Sequence, residues 1–417
     1  MTKYLKLLFG IVILLIYQMY IIKNSVRYLQ PFDLTPERFM KMNFTAKYNV
    51  KDTYLKYILL WTKAVTVPFK YMGNGCDVFV TRNCKYTNCF LTSDRRYFKD
   101  YTEFDVIAFS GPQLRTYDLP KKRSPHQKYV FVSIESPEYY SPCESVFDDF
   151  FNWTWTYKLD SDSRWGYVVI KNVKGEVIGP KRDMHWMDIS DMDPVSTELK
   201  EIVYKKTKAV AWFVSNCDTY SKREVVADEL EIELQKYNLS LDVYGVCGPF
   251  ECPLNSQSTE ACNRMLEQDY FFYLSFENSF AEDYVTEKLL HPLKNKAVPI
   301  VYGGANYTRF MPDGIYLDAT KLNLANLAET IQRLINNKNE YLEYLRWRNH
   351  YSYHYKDESP ETDDYCSICA LINEKNKIKD VYNYKSFIRW WNPNGECNPR
   401  KLGTPIYQLF NFKVQSL

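Results

Sequence analysis

The chain has 417 residues, 46% of them hydrophobic, with 53 Lys and Arg against 51 Asp and Glu, for a formal net charge of +2. So even a balance gives no electrostatic reason to expect a nucleic acid or another polyanion as partner, and the composition is that of a globular chain. The length exceeds what one small core fills and suits two domains of ordinary size.

Residues 1–6, carrying Lys3 and Lys6, read as a short cytoplasmic tail ahead of the uncharged apolar run 7–22, LLFGIVILLIYQMYII. That run reads as a transmembrane signal anchor, slightly short of the ~20 residues of an average span and so suited to a thinner membrane of the early secretory pathway. A cleaved signal peptide is the rival, but no Ala occurs before Ala46 and no small-x-small pattern follows the run. With the basic end cytoplasmic, everything downstream is lumenal. Four sequons, at Asn43, Asn152, Asn238 and Asn306, and 11 cysteines agree with that oxidising compartment. Cys366 and Cys369 could be half a zinc site or a redox pair, but no second CxxC follows, so structural disulfides are expected.

Residues 23–70 read as a stem. A first domain is expected over 71–195, where short apolar runs at 78–80, 106–109 and 129–134 read as buried parallel strands. The polar stretch 183–194 marks its end, a second domain covers 196–375, and 376–417 is a C-terminal extension. In the second domain the strands are 208–214, 241–246, Tyr270–Phe276 and Val298–Tyr302. The helices between and after them are one opened by a Ser221–Glu224 capping box and running to Lys236, one over 283–293, and a helical region over 324–348. The alternation implies two Rossmann-like α/β domains facing a cleft, with ligands beyond the carboxyl ends of the strands.

The residues that could carry chemistry stand at those ends. Phe271 to Asp318 runs strand, acid-and-amide turn, helix N-terminus and strand, an arrangement that offers backbone N–H groups and a positive dipole end to a diphosphate. Arg223 and Lys288 would neutralise it, Glu287 would accept from ribose or sugar hydroxyls, and Tyr284 shares the Lys288 helix face. Ordinary capping explains the same spacing. Asn278 follows Glu277 at a strand end, where a turn role is the plain alternative. Glu135, directly after an apolar strand and before Ser136-Pro137, is placed to take a proton from an attacking hydroxyl, or is a solvated rim residue. Asp160 with Asp162, and Asp191 with Asp193, have the spacing of metal-binding pairs. Neither adjoins the basic residues, so no metal is expected and Arg223 and Lys288 stand in for the cation.

Phe276-Glu277-Asn278-Ser279, Asp283-Tyr284-Val285-Thr286-Glu287-Lys288 and Val298-Pro299-Ile300-Val301 together resemble the signature of the α1,3-fucosyltransferases. Further likeness lies in Phe213-Val214-Ser215-Asn216-Cys217 with Arg223, in Asp242-Val243-Tyr244-Gly245, and in Ile134-Glu135-Ser136-Pro137. The resemblance implies a single-pass type II Golgi membrane enzyme of GT-B architecture, with GDP-fucose as donor, a glycoprotein N-glycan as acceptor and no required cofactor; a divalent cation such as Mn2+ would at most stimulate. It implies Glu135 as general base, Arg223, Tyr284, Glu287 and Lys288 holding GDP-fucose, and Asn216, Tyr244 and Asn278 lining the site. The Cys-rich loop after Tyr244 and the late Cys366-x-x-Cys369 look more like invertebrate and plant enzymes that fucosylate the N-glycan core. A Lewis-type activity on N-acetyllactosamine and a catalytically silent, membrane-tethered glycan-binding protein are the alternatives.

Overall fold

The computed structural model of the protein describes residues 54–251, 256–374 and 386–393. The apolar run 7–22 and the sequon at Asn43 lie outside them; within them no helix is long and apolar enough to cross a membrane.

Successive apolar residues at 58–60, 106–109 and 129–132 are what a strand needs when both faces of its sheet are covered. The first domain is such a sheet: β1 (Lys56–Leu60), β2 (Cys89–Thr92), β3 (Val106–Ser110), β4 (Lys128–Ser133), β5 (Trp153–Thr156) and β6 (Ser163–Arg164), all parallel in the order β2-β1-β3-β4-β5-β6. Ile58, Ala108 and Val130 bury one face, while Leu59, Ile107 and Phe131 bury the other. Two expectations change here. The end of the expected stem is a central strand, because Ile58 and Leu59 have partners on both sides. The 78–80 run is not a strand but part of helix α1 (Asp77–Thr81), which turns Phe79 into the core. A three-residue apolar run carries no periodicity, so packing decides its state.

Strands β7 (Val168–Asn172) and β8 (Val177–Gly179) leave the first sheet. The second domain follows with α2 (Thr197–Lys205), β9 (Lys208–Phe213), α3 (Arg223–Gln235), β10 (Leu241–Tyr244), α4 (Ser256–Asp269), β11 (Tyr270–Phe276), α5 (Leu290–Lys294), β12 (Val298–Tyr302), β13 (Leu317–Asp318), α6 (Leu324–Asn336) and α7 (Lys338–Glu343). Its sheet, β10-β9-β11-β12-β13, is also all parallel. Numbered within each domain, the first five strands of both sheets run 2-1-3-4-5, a doubly wound order whose ligand crevice opens where the winding reverses, beyond the ends of strands 1 and 3.

Local sequence explains the helix ends. In α6, Leu327, Ala328, Ile331 and Leu334 form one buried stripe, and the Asn323 side chain accepts from Asn326 N at 2.8 Å. The expected single helical region 324–348 breaks at Asn337, which ends α6 and caps α7. The expected Ser221 capping box does not form: Lys222 is the N-cap at φ +54°, Ser221 Oγ donates to Glu277 O at 2.7 Å, and Glu224 reaches back to Thr219.

The two halves are tied together. β14 (Tyr351–Tyr355) pairs antiparallel with β7. Helix α8 (Asp364–Asn373) returns to the first domain, where Cys366 and Cys369 form disulfides with Cys84 and Cys89, as expected of structural cysteines. A third disulfide joins Cys217 to Cys247. Helix α9 (Phe387–Trp391) packs Phe387 and Trp391 against Phe131, with ring centres 4.8 and 4.9 Å away. The divisions at 375 and at 376–417 therefore do not follow the packing, since both last helices cover the first sheet.

Candidate active site

The crevice of the second domain opens between the ends of β9 and β11, and Arg223 spans it. Its side chain is only 3% exposed; Nη1 donates to Phe276 O at 2.7 Å and Nη2 to Asn216 O at 3.2 Å. Nε has no partner. Burial lowers its pKa and Glu277 works against that shift, but a guanidinium remains charged. A buried cation with an unmet donor at a strand-end crevice suits a phosphate or carboxylate oxygen.

The 283–293 stretch differs from expectation in a way that shapes the site. It is not one helix: Asp283 is left-handed at φ +60°, Thr286 is extended, a 3-10 turn covers Glu287–Leu289, and α5 follows. Asp283 is held there by Arg309 at 2.6 Å and by Leu159 N at 3.2 Å. Tyr284 and Lys288 therefore do not share a helix face, and no long helix offers its N-terminus. Lys288 instead projects into a cluster of acids, 3.2 Å from Glu277 and 3.3 Å from Glu287, and donates to Thr286 Oγ1 at 2.7 Å. Burial pulls its pKa down, but the two carboxylates outweigh it and the net shift is upward. Glu287 goes low despite burial, because Lys288 stands beside it.

Glu277 is the residue whose role the sequence left unread. It is 1% exposed, accepts from Thr286 N at 2.8 Å and Thr286 Oγ1 at 2.9 Å, and pairs with Lys288. It thus fixes both the turn and the ammonium. Its place directly after an unbroken apolar strand was the available signal.

Glu135 lies across the boundary, at the end of β4. Tyr284 donates to its Oε2 at 2.8 Å, so a second-domain phenol orients a first-domain carboxyl. Burial pushes the Glu135 pKa up to about 7, against the Tyr284 hydrogen bond and the charge of Lys288. The same loops meet again through Ser279 Oγ donating to Ser136 Oγ, and through Phe280 N donating to Glu138 Oε2 at 3.1 Å. Asn216 Nδ2 donates to Tyr139 OH at 3.4 Å.

The structure therefore brings together Glu135, Tyr284, Glu287 and Lys288, with Arg223 and Asn216 along the same crevice. Asn278 is buried beside Ser279 and its backbone carbonyl accepts from Ser221 N at 3.1 Å. Tyr244 is placed otherwise: its hydroxyl meets Tyr270 at 2.7 Å, in a chain that ends on Asp242, so it supports the sheet edge and does not line the cleft. The two acid pairs are separate from the site. Asp162 accepts from Thr154 N at 2.9 Å, and Asp160 from Trp390 Nε1 at 2.9 Å and from Arg182 at 2.8 Å. Asp191 and Asp193 are exposed.

A carboxyl poised near neutrality, facing two cations across a cleft between parallel-sheet domains, defines a group-transfer site for an anionic leaving group. Family comparison is more specific. The family described as "Fucosyltransferase, N-terminal" matches residues 53–168, and "Glycosyltransferase family 10 (fucosyltransferase) C-term" matches residues 203–390. α-(1,3)-Fucosyltransferase C of Drosophila melanogaster is 34% identical over 320 residues, covering 74% of this chain and 70% of its own. Glycoprotein 3-α-L-fucosyltransferase A of the same organism is 30% identical over 333 residues, covering 78% and 59%. A bovine 3-galactosyl-N-acetylglucosaminide 4-α-L-fucosyltransferase is 34% identical over 273 residues, covering 63% and 64%. The chain belongs to the family 10 fucosyltransferases. The crystal structure of an α1,3-fucosyltransferase with GDP-fucose overlaps it with a TM-score of 0.47 at 15% identity, covering 81% of this chain and 96% of that one, a likeness too loose to place residues.

Proposed function

We propose that the protein transfers L-fucose from GDP-β-L-fucose to O3 of N-acetylglucosamine in the core of N-glycans, with inversion to an α linkage. The observation that carries this reading is Glu135 itself, a carboxyl with its pKa raised to about 7 at the mouth of a cleft whose far wall holds Arg223 and Lys288. Ionised, Glu135 takes the proton of the acceptor hydroxyl as the new O–C1 bond forms. The C1–O bond to the β-phosphate breaks, and its electron pair leaves with GDP. Inversion needs only this one base, because the nucleophile and the diphosphate occupy opposite faces of an oxocarbenium-like centre. Arg223 and Lys288 meet the charge that develops on the leaving diphosphate, which supports chemistry with no required metal.

The names of relatives favour this acceptor without excluding a second. A Drosophila relative is named for glycoprotein 3-fucosylation, and a bovine one for 4-fucosylation of galactosyl-N-acetylglucosamine. Incubating the lumenal part with GDP-fucose and a panel of N-glycan cores and N-acetyllactosamines tests both. A product fucosylated only on lactosamine moves the protein to the Lewis-type reading, and no transfer to any acceptor supports a silent glycan-binding role. The run 7–22, with Lys3 and Lys6 ahead of it, supports a type II anchor in the Golgi membrane with the catalytic domains lumenal.

A further inference from the structure

Tyr284 belongs to the second domain by sequence but to the first by packing. Its ring is 1% exposed and lies in the core cluster that Leu59, Ile107, Phe109 and Phe131 build on the first sheet. The turn that carries it is not helical, so no ladder of helix hydrogen bonds fixes where the ring points, and its neighbours must do so. Two further rings join it. Tyr157, the residue after β5, meets Tyr284 edge-on with ring centres 4.9 Å apart, and Trp391 of α9 meets Tyr157 at 5.8 Å. Edge-on pairs hold because ring hydrogens face a negative π cloud, which sets both spacing and tilt. The Tyr157 hydroxyl has no hydrogen-bond partner among the described residues, so Tyr157 acts here through its ring. At the tip of the Tyr284 ring, the hydroxyl donates to Glu135 Oε2 at 2.8 Å.

The residues after Tyr157 are tied both to α9 and to the Tyr284 turn. Lys158 Nζ donates to Trp390 O at 2.7 Å, and Trp390 Nε1 donates to Asp160 Oδ2 at 2.9 Å. Between them in sequence, Leu159 N donates to Asp283 Oδ2 at 3.2 Å. The start of α9 is anchored as well: Ile388 N donates to Asp148 Oδ1 at 3.0 Å, and Phe387 packs on Phe151 with ring centres 4.7 Å apart. Segments 157–160, 283–284 and 387–391, far apart in the chain, thus form one packed unit, and the Tyr284 hydroxyl is where that unit touches the base. The charged groups that act on Glu135 are Lys288, Glu287 and Glu277, all on the second domain. The phenols of Tyr139, Tyr140, Tyr157 and Tyr167 feel its charge in turn, each pushed up by burial first and in part by Glu135. None of these groups belongs to α9, which therefore reaches the base through packing and not through charge.

We propose that Tyr157 and Trp391 are positioning residues for Glu135: together they hold the Tyr284 ring where its hydroxyl meets the carboxyl, so that α9 serves the base from the far end of the chain. The kinetic arm of the test rests on the fucosyl-transfer reading, and a titration arm does not. In the full chain, Tyr157→Leu and Trp391→Leu keep apolar bulk and remove the ring contacts. Each should move the acid limb of kcat/KM up by about one pH unit, a loss of about tenfold at a fixed pH below it, because the weakened hydrogen bond favours the ionised carboxyl. GDP affinity should hold, since Arg223 and Lys288 are untouched. Tyr157→Phe should restore the wild-type limb, and in a Tyr284→Phe background neither Leu variant should move it further. In parallel, the Glu135 carboxyl is titrated by carbon NMR on glutamate-labelled protein, with its signal assigned by its loss in Glu135→Gln; its midpoint should rise with the limb. An unmoved midpoint in folded Leu variants overturns the proposal, and so does an equal shift in the Tyr284→Phe background. Where a Leu variant does not fold, Trp391→Phe, which keeps an aromatic ring but shortens its reach, decides by the same midpoint. A shifted midpoint in a protein that transfers fucose to no acceptor would overturn the transferase reading and leave the positioning role standing.

Discussion

Replacing Glu135 by Gln tests the site where its two halves meet. The amide keeps the shape, and its carbonyl can still accept from Tyr284, which now donates to Glu135 Oε2 at 2.8 Å. What is lost is the capacity to take a proton. General-base catalysis contributes roughly 10²–10⁴-fold, so kcat/KM should fall by that factor while GDP affinity holds. The pH profile supplies a second magnitude. With the carboxyl raised from 4.5 to about 7, kcat/KM should rise with pH and level off above about 7. Below that value it should drop about tenfold per unit, and the limb should vanish in Glu135→Gln. The raised pKa also has a cost in stability. A carboxyl whose folded value exceeds its unfolded one stabilises the fold below the unfolded pKa, and that contribution is lost as pH rises through about 7. The shift corresponds to on the order of 3 kcal/mol. Glu135→Gln should therefore melt higher than the wild type at pH 8 and much the same at pH 4. Steady-state kinetics against pH, with thermal melts at both values, measure all of this. Wild-type turnover in the Gln variant, or an acid limb centred near pH 4.5, would refute the assignment.

Lys288→Ala should raise the GDP-fucose KM about 10–100-fold, the loss of one charge-assisted hydrogen bond of ~1.5–3 kcal/mol. Because Lys288 also pairs with the buried Glu277, the Ala variant should melt early. Adding Glu277→Gln should recover stability but not donor affinity, and calorimetry with GDP separates the two effects. The disulfides Cys84–Cys366 and Cys89–Cys369 are nearly redundant as chain restraints: with one formed, the other closes a loop of about eight residues, worth ~2.5 kcal/mol in the loop-entropy account. Removing both opens a loop of about 280 residues, worth ~5.6 kcal/mol more, so single Cys→Ser variants should fold and the double set should not, as read by thermal melts. Asn152 is 6% exposed and its Oδ1 accepts from Tyr129 N at 2.8 Å, so glycopeptide mass spectrometry should find it unmodified, with Asn238 and Asn306, both exposed, as the acceptors among the described residues.

Most strands were legible because their rule is local: a run of apolar residues long enough to be buried on both faces can be little else. Tyr270–Phe276 and Val298–Tyr302 match to the residue, and 106–109 and 129–134 are within a residue at each end. The misses occur where a distant partner decides. Residues 283–286 have helical spacing, yet Asp283 is drawn into a left-handed turn by Arg309 and by the backbone of Leu159 in the other domain. Helix α9 has an ordinary aromatic sequence, and only the uncovered face of the first sheet gives Phe387 and Trp391 their place.

The same distinction explains the site. Arg223, Glu287 and Lys288 were readable as a group because one crevice in one domain gathers them, while Glu135 had only its position at a strand end. The Tyr284 hydrogen bond changes the meaning of both partners. Tyr284 was expected to hold the donor, and here it holds the base; Glu135, a rim carboxylate by spacing alone, is oriented by a group from the donor side. The hydrogen bond lowers the Glu135 pKa against burial. Tyr284→Phe should therefore move the acid limb of kcat/KM upward in pH, a displacement that a merely structural role for this tyrosine would not produce. An unshifted limb in an intact Phe variant would detach Tyr284 from the base and return it to the donor.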